Sequence, residues 1–221
     1  MVLSDKDIRK CLANGRIKVT PAPDLATQLG PCSIDLRLAD TFRVFERSRA
    51  PFIDTQGTKC DDLMREIVVK PDDRFIMQPG ELVLASTYES LELADDLLAR
   101  LEGRSSLARL GIIVHGTAGV FEPGWRGKPT LELGNLGPMP VALYPMMRIC
   151  SFTFEELSSP SEVPYWKRAS SKYLGQQGAD PSRFYSEKDI ELRYRAKSTQ
   201  DGGGTAADGV AKKGPILRPK S

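Results

Sequence analysis

Several features that would mark a function at once are missing from this chain of 221 residues. Its four cysteines, Cys11, Cys32, Cys60 and Cys150, lie far apart with no CxxC pair among them. That spacing argues against a structural zinc site and offers no disulfide framework, so a reducing compartment is the simpler expectation. No apolar run is long enough to span a bilayer, and the opening MVLSDKDIRK lacks the apolar core of a secretory signal. A soluble, cytoplasmic protein with no membrane partner is expected. Neither sign of charge is in surplus: 31 basic residues face 29 acidic ones, for a net charge of +2. No basic stripe precedes the C-terminal tail, which argues against a nucleic-acid partner. Nor is there a GxxxxGK(S/T) run, so a P-loop is excluded as a phosphate cradle. A small anionic ligand held by a local cluster is still allowed.

What is present reads as one well-buried core made mostly of strands. Ser4 and Asp7 resemble a helix N-cap with an acidic first turn, Asn14-Gly15 supplies a stop, and Ile8, Cys11 and Leu12 sit at helical spacing between them. A short amphipathic helix is expected there. Beyond it come short alternating or β-rich runs: 33–40, 41–45, 66–70, 74–78, 81–86, 111–118, 129–135, 140–144 and 148–157. Breakers such as Pro79-Gly80, Pro123-Gly124 and Gly137-Pro138 separate many of them. The expected fold is mainly β, a distorted barrel or sandwich with a few short helices. Residues 158–185 are rich in Ser, Pro, Gly and Gln yet carry Tyr165, Trp166, Tyr173, Phe184 and Tyr185. Disordered linkers are poor in aromatics, so this stretch is expected to fold over something. From about Lys197 the composition collapses to Gly, Ala, Lys and Pro, and residues 197–221 are expected to be a disordered tail.

Two places gather chemistry. In EGRSSLARLG (102–111), Arg104, Ser105, Ser106 and Arg109 concentrate hydrogen-bond donors within six positions. A turn of helix starting at Ser105 would turn free backbone N–H groups outward, and arginine forks suit phosphate oxygens. A plain helix cap followed by surface charge fits those ten residues as well. HGTAGVFEPGWRGKPTLEL (115–133) then places a strand, a tight turn at Pro123-Gly124 and a second strand. Thr130, Glu132 and Gly134 share one face of that strand, while Leu131 and Leu133 share the other. A carboxylate amid leucines on a core strand is either a paired structural acid or a working one. Trp125 is expected to pack in the core beneath the turn.

Four motifs together, EGRSSLARLG, HxTAxxxxPGWxG, TLELGN and SSKYLGQQG (170–178), resemble dCTP deaminase, of the trimeric dUTPase-like superfamily. The likeness covers roughly the first 185 residues in the right order and spacing, so residues 1–190 are read as one such domain. The resemblance implies a homotrimer with active sites where subunits meet, and hydrolytic deamination of dCTP to dUTP and ammonia, supplying dUMP and dTMP synthesis. It implies Mg²⁺ bound through the triphosphate and no zinc. The H-x-E with P-C-x-x-C signature of zinc deaminases is absent here, where His115 is the one histidine.

Carried over position by position, the resemblance makes Glu132 the general base, with Ser105 and Arg109 positioning the water and steadying that carboxylate. The run Arg104, Ser105, Ser106, Leu107, Ala108 and Arg109 becomes nucleotide-binding. Backbone groups of Ala118, Thr130, Leu131 and Glu132 would read the cytosine edge. Tyr165, Lys172 and Gln176 match positions that contact the triphosphate or sugar, and 165–178 would be a lid that excludes water. His115 is read as a packed residue behind the site. The resemblance also implies dTTP as a feedback inhibitor in the same pocket.

Glu122, in FEPGW, stands where many relatives carry an aspartate that helps hold the sugar and can ready a water for attack at phosphorus. The extra methylene moves the carboxylate by roughly an ångström, a displacement to which catalytic geometry is sensitive. Ala118-Gly119 pulls the other way, towards bifunctional members that form dUMP and pyrophosphate. Release of dUTP is the favoured expectation. The bifunctional reaction is the alternative, and a non-catalytic nucleotide sensor is the reading from another class.

Overall fold

The computed structural model describes residues 1–55 and 57–187. Helix α1 (Asp5–Ala13) forms where the cap was expected: Asp7 N–H donates to the Ser4 hydroxyl, and Ile8 and Cys11 are buried. Strands follow in quick succession: β1 (Ile17–Thr20), β2 (Ser33–Arg37), β3 (Thr41–Phe45), β4 (Met64–Val68), β5 (Phe75–Met77), β6 (Leu82–Ser86), β7 (Ser90–Leu93) and β8 (Leu97–Gly103). A single helical turn, α2 (Ser105–Ala108), separates these from β9 (Ile112–Ile113), β10 (Val120–Phe121), β11 (Arg126–Gly127), β12 (Thr130–Asn135), β13 (Val141–Leu143) and β14 (Arg148–Glu156).

The pairings are antiparallel and fall into four sheets: β1-β7-β11, β10-β8-β14-β2, β4-β3-β6-β12-β9 and β13-β5. The sheets keep open edges, so the architecture is a distorted sandwich rather than a closed barrel. Alternation drives this packing. Strand β8, for instance, buries Leu97, Ala99 and Leu101 while turning the residues between them outward. Phe42 stacks on Phe75 at 4.4 Å, and Phe121 makes edge contacts with both Phe152 (5.1 Å) and Trp125 (4.9 Å). Each buried aromatic of this kind contributes about 1.5–3 kcal/mol of transfer free energy. The Phe121–Trp125 pair carries the core directly to the wall of the pocket described below.

Two differences from the sequence reading stand out. The run 111–118 gives only the two-residue β9, because the chain leaves the sheet edge after Val114, whose carbonyl accepts the last pairing bond from Glu132 N. Strands β1, β7 and β8 had no assignment; β7 and β8 are built largely of Leu, Ala, Glu and Arg, good helix formers whose alternation is visible only once burial is known. The sequence reading also missed Glu89, which is completely buried. It accepts from Arg37 N (2.8 Å), Arg37 Nε (2.6 Å) and Gln28 Nε2 (3.1 Å), so the charge is paired and hydrogen-bonded.

Met1–Tyr185 form one compact unit. The stretch 197–221 expected as a tail lies outside the described residues. Among the described residues no helix is long and apolar enough to cross a membrane.

Candidate active site

Strand β12 sets the site. Sandwiched between β6 and β9, it buries Leu131 and Leu133 completely and turns Thr130 and Glu132 to the opposite, half-buried face. Glu132 lies across from Leu84 in the β6 register. Once past Val114, the chain folds back over this face, and Gly116 N–H donates to Glu132 Oε2 at 2.8 Å. The acid is therefore held at both ends, by strand pairing at its backbone and by an amide at its carboxylate. Among the described residues no Lys or Arg pairs with this side chain, whose hydrogen-bond partner is the Gly116 amide, so a ligand in the pocket can meet it.

This face opens on a pocket of ≈ 800 Å³. One wall is the 116–119 loop with Phe121, Glu122 and Trp125; the floor is Phe45, Leu82 and Leu84, with Thr130 and Glu132 beside it. The remaining wall comes from residues 165–182. Tyr165 N–H donates to the Pro123 carbonyl (2.7 Å), its ring lies 5.1 Å from that of Trp125, and its hydroxyl accepts from Tyr173 N (3.2 Å). Burial pushes the Tyr165 phenol up, a shift partly offset by that bond from the Tyr173 amide. Gln176 is buried and donates to Lys128 O (2.6 Å) and Thr130 Oγ1 (3.0 Å), while Thr130 Oγ1 donates to Gly178 O (3.1 Å). A largely apolar cavity with three carboxylates at its walls, Glu122, Glu132 and Asp180, and a few backbone and hydroxyl groups suits a small organic ligand with a polar edge.

Of the residues singled out in the sequence, Ala118, Glu122, Thr130, Glu132, Tyr165 and Gln176 meet in this pocket. Leu131 turns its side chain into the core and can offer only its backbone. The donor cluster lies elsewhere. Arg104 caps α2, and its Nε pairs with Asp35 Oδ2 (3.1 Å) while Nη1 donates to Arg148 O (3.0 Å). Leu107 is buried and pins the turn; Ser105, Ser106, Ala108 and Arg109 are exposed, and none of the six lines the pocket of the same chain. Lys172 also stands outside it, its ammonium 6.0 Å from the Tyr173 ring centroid and 5.9 Å from that of Phe184. Trp125 is buried as expected but lines the pocket too, and its indole nitrogen has no hydrogen-bond partner among the described residues. His115 sits behind the loop, its Nδ1 buried and likewise without a partner among the described residues. Gly116, Tyr173 and the apolar floor were missed. Gly116 and Tyr173 fall inside the motifs HxTA and SSKYLGQQG, whereas Phe45, Leu82 and Leu84 read as ordinary core positions.

Known proteins resemble this arrangement. The family described as DCD, dCTP deaminase-like, matches residues 2–157. The chain is 61% identical over 197 residues to a dCTP deaminase of Thermomicrobium roseum, covering 88% of this chain and 100% of that protein. It is 49% identical over 184 residues to a "dCTP deaminase, dUMP-forming" of Dictyoglomus thermophilum, covering 83% of this chain and 95% of that one. Among solved structures, the 2'-deoxycytidine 5'-triphosphate deaminase from Agrobacterium tumefaciens superposes with a TM-score of 0.55 at 25% identity. That superposition takes in 70% of this chain and 48% of the longer Agrobacterium chain. With the family match spanning most of its described length and a relative this similar along the whole of its own, the chain belongs to the dCTP deaminase-like family.

Proposed function

We propose that this protein hydrolyses dCTP at C4, releasing ammonia and forming dUTP, with Glu132 as the proton carrier. The observation that carries the reading is the placement of one anchored carboxylate on the wall of an apolar pocket, in a chain so similar to named dCTP deaminases. Glu132 takes a proton from water as the oxygen adds to C4, and N3 is protonated in the same passage. A second transfer through the carboxylate moves the proton of the new C4 hydroxyl to the exocyclic amine, the C4–N4 bond breaks as the C4 carbonyl forms, and ammonia leaves. Backbone groups of Ala118 and of Thr130 to Glu132 read the cytosine edge.

The positions of the donors support a site completed by another subunit. Ser105, Ser106 and Arg109 are exposed and lie outside their own chain's pocket, so a neighbouring copy would present them to the triphosphate. Exposed Leu110, Val120, Leu136 and Met139 give such a contact apolar surface, in keeping with a homotrimer. Arg104 is already oriented by Asp35, and Lys172 would meet phosphate from the lid. Among the described residues no three His, Cys, Asp or Glu side chains converge to hold a metal, so the donor set suits Mg²⁺ carried on triphosphate oxygens. That ion would neutralise phosphate charge. In this reading dTTP inhibits by competing for the same pocket.

A second product is favoured by two observations. Glu122 is on the pocket wall, 3.4 Å from Arg168 Nη1, and several relatives at 45–49% identity are named dUMP-forming. Incubation with dCTP and Mg²⁺, with ammonia, dUTP, dUMP and pyrophosphate all measured, decides. Ammonia with accumulating dUTP supports our reading. Ammonia with dUMP and pyrophosphate assigns the bifunctional reaction, and no turnover of dCTP refutes both.

A further inference from the structure

The segment that closes the pocket is fastened at its root by a contact that the deamination chemistry does not use. Tyr165 turns inward onto Trp125, and the next residue, Trp166, turns the other way. Its indole N–H donates to Asp95 Oδ1 at 2.9 Å, and the Arg126 guanidinium lies 5.3 Å from its ring centroid. Asp95 is itself tied to the same stretch of chain, because its carbonyl accepts from Ser161 N–H (2.8 Å). The ring packs straight onto the turn: a Cβ on Gly124, which has φ 77°, would stand 2.7 Å from Trp166 Cδ1 and 2.8 Å from Pro164 Cβ. Arg126 serves the far end of the segment too, since its carbonyl accepts from Gly175 N–H at 2.8 Å. Both ends of the loop from 165 to 175 are thus fixed to the short strand β11.

We infer that Asp95, Trp166 and Arg126 are positioning residues that hold the 165–178 segment over the nucleotide. None of the three lines the main pocket. Asp95 fixes Trp166, Trp166 fixes the backbone of Tyr165, and the Tyr165 hydroxyl and carbonyl hold Tyr173 N and Ser171 Oγ. The segment then reaches Gln176, whose amide touches Thr130 two residues from Glu132. The role in substrate binding rests on the deaminase reading; the clamp itself belongs to the chain alone.

Lys167 and Arg168 are exposed within the segment, so tryptic cleavage there reports its opening. In Asp95→Ala, loss of one hydrogen bond to a charged acceptor raises cleavage of the full chain roughly tenfold. The KM for dCTP rises by a similar factor while kcat stays within about twofold, since binding and not the chemical step is weakened. Asp95→Asn, which keeps an acceptor oxygen, returns both towards wild type. Trp166→Phe, which keeps a ring but loses the N–H, behaves like Asp95→Ala and carries the test should that variant not fold. Wild-type cleavage and KM in both Asp95→Ala and Trp166→Phe overturn the inference, as does Asp95→Asn being as open as Asp95→Ala. Cleavage is read without substrate, so a protein that failed to deaminate dCTP would still answer for the clamp.

Discussion

Gly116 and Glu132 are 16 residues apart in the chain, yet the amide of one donates to the carboxylate of the other at 2.8 Å. A Cβ on Gly116 would meet the same Oε2 at 3.1 Å, closer than carbon and oxygen ordinarily approach. The glycine is therefore needed for what it lacks. Gly116→Ala is expected to push the carboxylate aside by a few tenths of an ångström and to lower kcat for dCTP by about tenfold, given how steeply rate follows geometry. Binding of dCTP, measured by calorimetry, should change far less. A variant with wild-type kcat would show that the Gly116–Glu132 spacing does not set the chemistry.

The acid itself is tested by Glu132→Gln. Glutamine keeps the shape and an acceptor oxygen for Gly116 N–H, so the fold and nucleotide binding should survive. It cannot carry a proton from water to the pyrimidine, and deamination should fall by about 10²–10⁴-fold. Ammonia release under single-turnover conditions measures this, and a rate near wild type would remove Glu132 from the mechanism.

How far the sequence could reveal these features depended on whether a signal was local. Glu132 stood out because one charged residue broke the apolar alternation of TLELGN, and β12 places it as that pattern implies. The α1 cap was equally local, resting on Ser4 and Asp7 three positions apart. Strands β7 and β8 were hidden because their Leu, Ala, Glu and Arg composition favours helix until the partners β1 and β14 impose alternation. Contacts between distant segments left no trace at all: Trp166 meets Asp95 across 71 positions and Arg37 meets Glu89 across 52. The donor cluster was legible as chemistry, but its location away from its own pocket is a property of the folded surface.

The Arg37–Glu89 pair gives a prediction about stability alone. Glu89 is wholly inaccessible, so Arg37→Ala would strand a buried carboxylate with only an amide and Gln28 beside it. A loss of about 3–5 kcal/mol in unfolding free energy is expected by denaturant titration. Arg37→Met combined with Glu89→Leu removes both charges and should restore much of that loss. If the double variant is no more stable than Arg37→Ala, buried charge is not the cause.

Tyr165 links the lid to alkaline pH. Burial raises its phenol above the ordinary tyrosine value of 10.0, so the folded protein favours the neutral form more than the unfolded chain does. The sign follows from linkage. This contribution to stability is fully present below the unfolded tyrosine value and is lost as pH rises from there through the folded one. Below that window Tyr165 should be protonated, with its hydroxyl oxygen accepting from Tyr173 N. Thermal unfolding followed from neutral pH to above 10 should show a steeper alkaline decline for wild type than for Tyr165→Phe, which has no proton to lose. The phenylalanine variant also forfeits the Tyr173 N bond, worth about 0.5–1.5 kcal/mol, and should start from a lower neutral-pH stability. Ultraviolet titration gives the independent reading: the tyrosine signal removed by Tyr165→Phe should ionise above the ordinary value of 10.0. Parallel alkaline curves for the two proteins would mean that the phenol is not the group linking lid and pH.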